Sequence, residues 1–446
     1  MRLTLFSANR MPALTSSIRQ AAAGVTPLDI WAVVLPALSF LQFHLGGQLI
    51  FSELLALAIL PWLLRSRERL LVPRWLIGLG GAWLVFQVVT DVVVHTAFID
   101  WSRGWAAIVF TLIDLAVIIC LVSTPRRARL FLLGSAAGGF LGYIVVPDPN
   151  AATDAWKWAF AGPIGSLLVV ALSGSRGARQ PWLVVGALAI FGLVNAFLGY
   201  RSMSGVALIT AAYLLLAFFV AARLRLRAFT VKVAALGLAS YGAAAIVVFL
   251  GLSAAAQAGV FGQAAAAKFD AQTTVIVTPS PTAASSPTAA SNPLLVFAGG
   301  RAEILASSRA ILDSPILGHG SWAKDTRYVQ EQSQGLSDLG ILGGNEPTDP
   351  NLIPAHSYLM QSWVWAGMAG GLFWLAVAAL ALWLMGSLYV LRLALSPLIV
   401  FAATGLLWGI AFSPYGSTAR LSAAYCVAVC LVGLRQRHVP DRVPEQ

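Results

Sequence analysis

Apolar runs alternate with short polar stretches along almost the whole chain. Twelve of them approach the roughly 20 residues that a helix needs to cross a hydrocarbon layer: residues 28–45, 48–64, 75–94, 104–122, 128–146, 158–173, 182–198, 204–222, 231–256, 367–391, 397–412 and 419–434. Several are short, and the first two also fit a single re-entrant pair. One sizeable polar region, 257–356, interrupts the series after the ninth run. The pattern predicts an all-α polytopic membrane protein of about twelve transmembrane helices. An N-terminal membrane region of about nine spans (1–256) is followed by a large loop containing short helices (257–356), about three further spans (357–434) and a tail (435–446).

The loop divides in two. Residues 262–293 are mostly Ala, Ser, Thr and Pro, with Thr278-Pro-Ser-Pro-Thr-Ala-Ala-Ser-Ser-Pro at the centre; such a composition buries no core, so a mobile insert is expected. Residues 300–356 are the site-forming part. Ile304, Leu305, Ile311 and Leu312 recur at helical spacing and Pro315 closes the segment, which predicts an amphipathic helix. Arg301 falls on its packed stripe and Arg309 towards its flank. The following Pro315-Ile-Leu-Gly-His-Gly-Ser-Trp322 sets His319 between glycines that let backbone come close to a ligand or a neighbour. Residues 324–351 are polar and glycine-rich, an expected exposed lid or loop. His356 then opens the next helix, sharing a face with Leu359, Met360, Trp363 and Gly367.

Composition fixes the class: 58% hydrophobic and 11% charged residues leave too little polar surface to clothe a soluble globule of this length. A formal charge of +11 would suggest nucleic acid in a soluble chain, but here the basic residues sort by side. With the N-terminus inside, twenty of the 29 Lys and Arg fall on one side, in clusters such as Arg65, Arg67, Arg69, Arg74 and Arg126, Arg127, Arg129. The bias of such residues to cytoplasmic loops puts both termini in the cytoplasm and the long loop outside, with no nucleic-acid partner required. Residues 1–27 lack a compact apolar core with a cleavage site and read as a retained cytoplasmic tail. Cys120, Cys426 and Cys430 all lie in apolar runs and imply packing rather than a disulfide framework.

Three residues from distant stretches fall at the same outer surface. Arg201, in the external turn Tyr200-Arg-Ser-Met-Ser204, opposes the charge bias and either finds an anionic partner or snorkels to the interface. Arg301 and His356 join it from the loop. Two guanidiniums hold phosphate oxygens bidentately, and a neutral imidazole can take a proton from a hydroxyl. The set suits a diphosphate and an alcohol, and a sugar joined through diphosphate to a lipid carrier is such a substrate at a membrane surface. Arg309, His319 and Arg420, the last beside the external turn Ser413-Pro-Tyr-Gly-Ser417, are further candidates to line the site. The loop has no Asp-x-Asp pair or carboxylate-histidine cluster at ligand spacing, so neither a metal nor a cofactor is expected.

These residues carry a resemblance. Arg301 followed by Ile304, Pro315, Gly318 and Gly320, then His356-Ser-Tyr-Leu359 with Gly367 and Gly370, resembles the signature of the O-antigen ligase and O-antigen polymerase family, and Arg201-Ser202 is similar to its Arg-Ser pair at the outer end of a mid-chain span. The likeness covers roughly the second half of the chain. It implies a GT-C-like fold in the bacterial cytoplasmic (inner) membrane, with membrane lipids around it. It also implies a glycosyltransferase of polysaccharide biosynthesis, as in lipopolysaccharide of the cell envelope. The donor would be an undecaprenyl-diphosphate-linked glycan, transferred or polymerised on the external face, and the acceptor a glycan or a lipid A core. By the same resemblance Arg201 and Arg301 would hold the diphosphate, and His356 would act as general base toward the acceptor hydroxyl or orient it. A single displacement would invert the anomeric configuration. The competing class is a proton-coupled transporter or lipid-linked glycan flippase, since Asp29, Glu53, Asp91 and Asp114 fall within or near the ends of spans. The absence of an internal repeat of spans in the sequence favours transfer chemistry.

Overall fold

The computed structural model describes residues 24–44, 47–174, 180–224, 230–263, 266–267, 274–277, 288–291, 301–338, 349–388 and 396–436. Helices dominate, as they must where lipid offers the backbone no hydrogen-bonding partner. In chain order they are α1 (Pro27–Ala37), α2 (Phe51–Arg65), α3 (Arg74–Val93), α4 (Phe98–Leu121), α5 (Pro125–Val145), α6 (Ala161–Leu172), α7 (Pro181–Phe197), α8 (Arg201–Leu224) and α9 (Val231–Gln257). The loop contributes α10 (Glu303–Asp313) and α11 (Thr326–Asp338), and the chain closes with α12 (Tyr358–Ser387), α13 (Ser396–Phe412) and α14 (Ser417–Gln436). Seven of these (α3, α4, α5, α8, α9, α12 and α14) are long and apolar enough to cross a membrane, and α1, α6, α7 and α13 are shorter apolar helices. The described chain is thus an all-α, multi-pass membrane protein.

Each of the twelve apolar runs carries a helix, but the first is cut short. Pro36 stands near the end of α1, and the chain turns through an antiparallel hairpin, β1 (Gln42–His44) and β2 (Gln48–Ile50), before α2 begins. Of the expected mobile insert, two strands are described, β3 (Thr274–Val277) and β4 (Thr288–Ser291), paired antiparallel with Thr274 opposite Ser291. The β-branched run Thr274-Val-Ile-Val277 explains the first of them. The insert's centre lies outside the described residues.

The antiparallel succession gives the bundle two chemically different ends. At one, the 301–338 and 349–357 segments meet the α3–α4 turn and the 413–416 turn: Ser321 bonds Asp91, Lys324 reaches Asp100 at 2.8 Å, and Gln361 bonds both backbone groups of Tyr415. At the other end Arg127 pairs with Asp29, Arg129 with the Ser173 carbonyl, and Arg435 with the Leu71 carbonyl. Below the loop end an aromatic cluster of Trp83, Tyr358, Phe373, Trp374 and Tyr415, with ring centroids about 5–6 Å apart, locks α3 and α12 together.

A break in α12 positions everything above it. Gly367 has φ 60° and ψ −151°, so the helical ladder stops there and resumes below. The segment 315–320 fills the gap: Met368 N donates to the Ile316 carbonyl, His319 N to Val364 and Gly320 N to Trp365. The unwound groups of α12 are thereby satisfied by protein, the condition under which a helix can break at membrane depth. Glycine is required on both sides, since a Cβ on Gly318 would lie 2.6 Å from Gly367 N and one on Gly367 2.0 Å from the Ile316 carbonyl. The glycines of the turn-rich stretch therefore serve a neighbour, the broken helix.

Candidate functional site

Asp91 anchors the inserted segment. Its buried carboxylate accepts from Ser321 N at 2.6 Å and from Ser321 Oγ, Thr96 Oγ1 and Trp105 Nε1 at 2.8 Å, with Gln87 Nε2 at 3.3 Å. These partners are all neutral N–H and O–H donors, and among the described residues no cation pairs with this carboxylate. Thr90 adds a bond to the Leu317 carbonyl and Gln87 one to Trp365. With 315–322 fixed, α10 is delivered onto the outer part of α12. Ala306 and Ala310 form its buried stripe, continuing the buried Ala302 that caps it, and pack with Tyr328 and Ile353 of the loop and Val364 of α12 in a small core separate from that of the bundle. The expected stripe of Ile304, Leu305, Ile311 and Leu312 is displaced to the flanks, and Leu312 is 72% exposed. Small residues win that face because they let the α10 backbone approach α12 closely.

The region expected to be an exposed lid contains α11. Its Tyr328, Gln332 and Leu336 are buried at i, i+4, i+8 spacing. Tyr328 donates to Asp313 at 2.9 Å, which Arg327 also approaches, and burial with that carboxylate pushes the Tyr328 hydroxyl up to about 12.

Arg301 precedes Ala302, the N-cap of α10, its carbonyl accepting from Ile304 N, and Glu303 is the first helical residue. His356 is held from both sides in sequence. Ile353 N donates to the Ala323 carbonyl, and Ser357, the N-cap of α12, accepts from Met360 N and donates to the Ile410 carbonyl at 2.7 Å. The histidine therefore precedes the helix instead of opening it. Its Nδ1 lies 3.9 Å from Glu303 Oε1, an electrostatic contact longer than a hydrogen bond. The imidazole is 43% exposed and the carboxylate 17%, and the other oxygen of Glu303 is buried without a partner among the described residues. Burial holds the His356 ring below its ordinary pKa; Glu303 opposes that shift and Arg301 adds to it. Arg301 is itself lowered by burial, with Glu303 working the other way. The structure thus gathers a guanidinium, a carboxylate and an imidazole into one half-open cluster.

Arg201 is the exposed first residue of α8, following a turn in which Gly199 takes φ 77°. One turn further on, Gly205 packs against Trp408 of α13, and the same helix receives the Ser357 hydroxyl at Ile410. Arg201 and His356 therefore stand at the same end of the bundle, about the last turns of α13. The other three candidates are engaged elsewhere. Arg309, 58% exposed, pairs with Asp313 at 3.5 Å. The His319 ring bonds the Ala310 carbonyl at 2.8 Å and meets Tyr328 edge-on. Arg420 is buried in a 2.6 Å pair with Glu53 inside the bundle.

Glu303 is the residue that sequence reasoning passed over, because an acid in the first turn of a helix is ordinary. Chemically, a neutral imidazole beside a carboxylate can accept a hydroxyl proton while the carboxylate stabilises the imidazolium that forms. An adjacent arginine offers a fork of donors to an anionic leaving group. No family model, curated protein or solved structure matches the chain.

Proposed function

We propose that the protein is a membrane-embedded glycosyltransferase, O-antigen ligase or polymerase-like, with a GT-C-like architecture, acting on undecaprenyl-diphosphate-linked glycan at the external face of the bacterial cytoplasmic membrane. The observation that carries this reading is the cluster of Arg301, Glu303 and His356 on the broken entry of α12, with Arg201 at the same end. Arg301 and Arg201 bind the diphosphate and stabilise charge growing on it as the glycosidic bond breaks. His356 takes the proton from the acceptor hydroxyl, and Glu303 stabilises the resulting imidazolium. A single displacement inverts the anomeric centre. The acceptor is a glycan or a lipid A core.

The test is to purify the protein and follow transfer from lipid-linked oligosaccharide to each acceptor class. His356→Ala should slow transfer by about 10²–10⁴-fold, the usual worth of a general base. Arg301→Ala should also accumulate lipid-linked glycan, with both variants present in the membrane at the parental level. Normal transfer by both would end the proposal. One observation favours the second reading, a proton-coupled transporter or flippase. Of the four carboxylates near spans, Asp29, Glu53 and Asp91 are paired or hydrogen-bonded, whereas Asp114 is fully buried with neither oxygen bonded among the described residues. Loss of activity in Asp114→Asn together with normal activity in His356→Ala would favour transport.

A further inference from the structure

The end of the bundle opposite the loop carries a groove that the transfer chemistry does not use. It has a volume of about 570 Å³ and lies between the second halves of α2 and α4 and the first half of α3. Its walls are aliphatic, with Leu64, Ile77, Leu84, Val109 and Leu112 among them, and the charged residues of its lining are Arg69 and Arg74, at the α2–α3 connection that forms its rim. Two exposed tryptophans lie close to it in sequence, Trp62 near the end of α2 and Trp75 at the start of α3. Tryptophan is enriched at the membrane-water interface, so this rim marks headgroup depth and the aliphatic walls run from it into the hydrocarbon layer.

Both arginines are exposed, and neither is within ion-pair distance of a carboxylate among the described residues. Arg69 gives one N–H to the Leu64 carbonyl at 3.2 Å, which holds it at the rim and leaves its remaining donors for another acceptor. Arg67 and Glu68 flank it in sequence, and Arg435 is engaged with the Leu71 carbonyl. The rim is therefore net positive, above a wall that only hydrocarbon can cover without cost.

We propose that this groove seats one anionic phospholipid from the leaflet at this end, its phosphate held by Arg69 and Arg74 and one acyl chain laid against Ile77, Leu84 and Leu112. Basic pockets between helices at a membrane surface are a recurrent means of holding anionic headgroups. The acyl chain supplies affinity through apolar burial, and the arginines choose the headgroup. The seat lies at the far end from His356, so it stands or falls independently of the proposed transfer reaction.

The experiment uses the full chain purified in detergent, exposed to mixed micelles of phosphatidylglycerol, of phosphatidylcholine with the same acyl chains, or to inorganic phosphate. Bound lipid is counted by native mass spectrometry. The expected result is one phosphatidylglycerol retained per chain in preference to phosphatidylcholine, and not displaced by inorganic phosphate. Arg69→Gln with Arg74→Gln should weaken that retention roughly thirtyfold, since each surface charge contributes about fivefold. Val109→Trp keeps both charges but fills the groove, and should abolish retention. The exposed control Arg309→Gln should leave it unchanged. Equal retention of phosphatidylcholine, unchanged retention in the double variant, parental retention in Val109→Trp, or displacement by inorganic phosphate would each overturn the proposal.

Discussion

At the scale of single residues, the site turns on how burial and two neighbouring charges set the protonation of one ring. Burial keeps His356 below the ordinary histidine value of about 6.5, so the neutral base prevails at neutral pH. Transfer should therefore fall only as pH drops through a value under about 6.5, and stay level above it. Glu303 is the influence that raises the ring's pKa. Glu303→Gln removes it, so the acid limb should move to still lower pH. Transfer at neutral pH should fall roughly tenfold or more, because the imidazolium formed in the reaction loses its partner. A pH-rate profile measured with saturating lipid-linked donor checks both; an acid limb that rises or stays put would remove Glu303 from the role. Arg301 and His356 could be singled out in the sequence because an arginine beside apolar helix positions and a histidine at the mouth of a span both call for an explanation. Glu303 gave no such signal, since its meaning depends on a contact between segments that only the fold brings together.

At the scale of elements, the decisive feature is the broken α12 and the segment 315–320 that completes it. The apolar pattern placed the start of a span at Gly367, and the helix does break there. The helical spacing of Leu359, Met360 and Trp363 already placed a helix on the loop side of Gly367, but nothing in the polarity pattern shows that Gly367 takes positive φ and breaks it. The α11 stripe of Tyr328, Gln332 and Leu336 was present in the sequence but masked by the polar residues around it. Gly318 has φ 81° and its missing Cβ faces backbone atoms 2.6–3.0 Å away, which cannot yield as a side chain would. Gly318→Ala should therefore cost at least about 2 kcal/mol, the strain of the left-handed conformation plus the clash. Asp91→Asn turns one acceptor oxygen into a donor facing existing donors and should cost about 3 kcal/mol or more. Both are measurable as lowered midpoints of thermal unfolding in detergent. A parental midpoint in either would mean that the segment is not held as described.

At the scale of the whole molecule, the two ends differ in how their charges are used. Lys324 at the loop end pairs with Asp100, and Arg309 and Arg327 pair with Asp313. The opposite end holds Arg65, Arg67, Arg69 and Arg74 with Glu68 as the acid among them. Such an excess in a short loop resists translocation during insertion, while a long loop crosses largely regardless of its charge. The chain should thus sit with the arginine-rich end in the cytoplasm and α10 and α11 outside, the arrangement that a lipid-diphosphate donor at the external face requires. With the three native cysteines replaced, Arg309→Cys should react with a membrane-impermeant maleimide in intact spheroplasts, and Arg67→Cys only after lysis. The reverse pattern would put the Arg301, Glu303 and His356 cluster on the cytoplasmic face, where an externally presented acceptor never meets it, and the transfer reading would fail on topology alone.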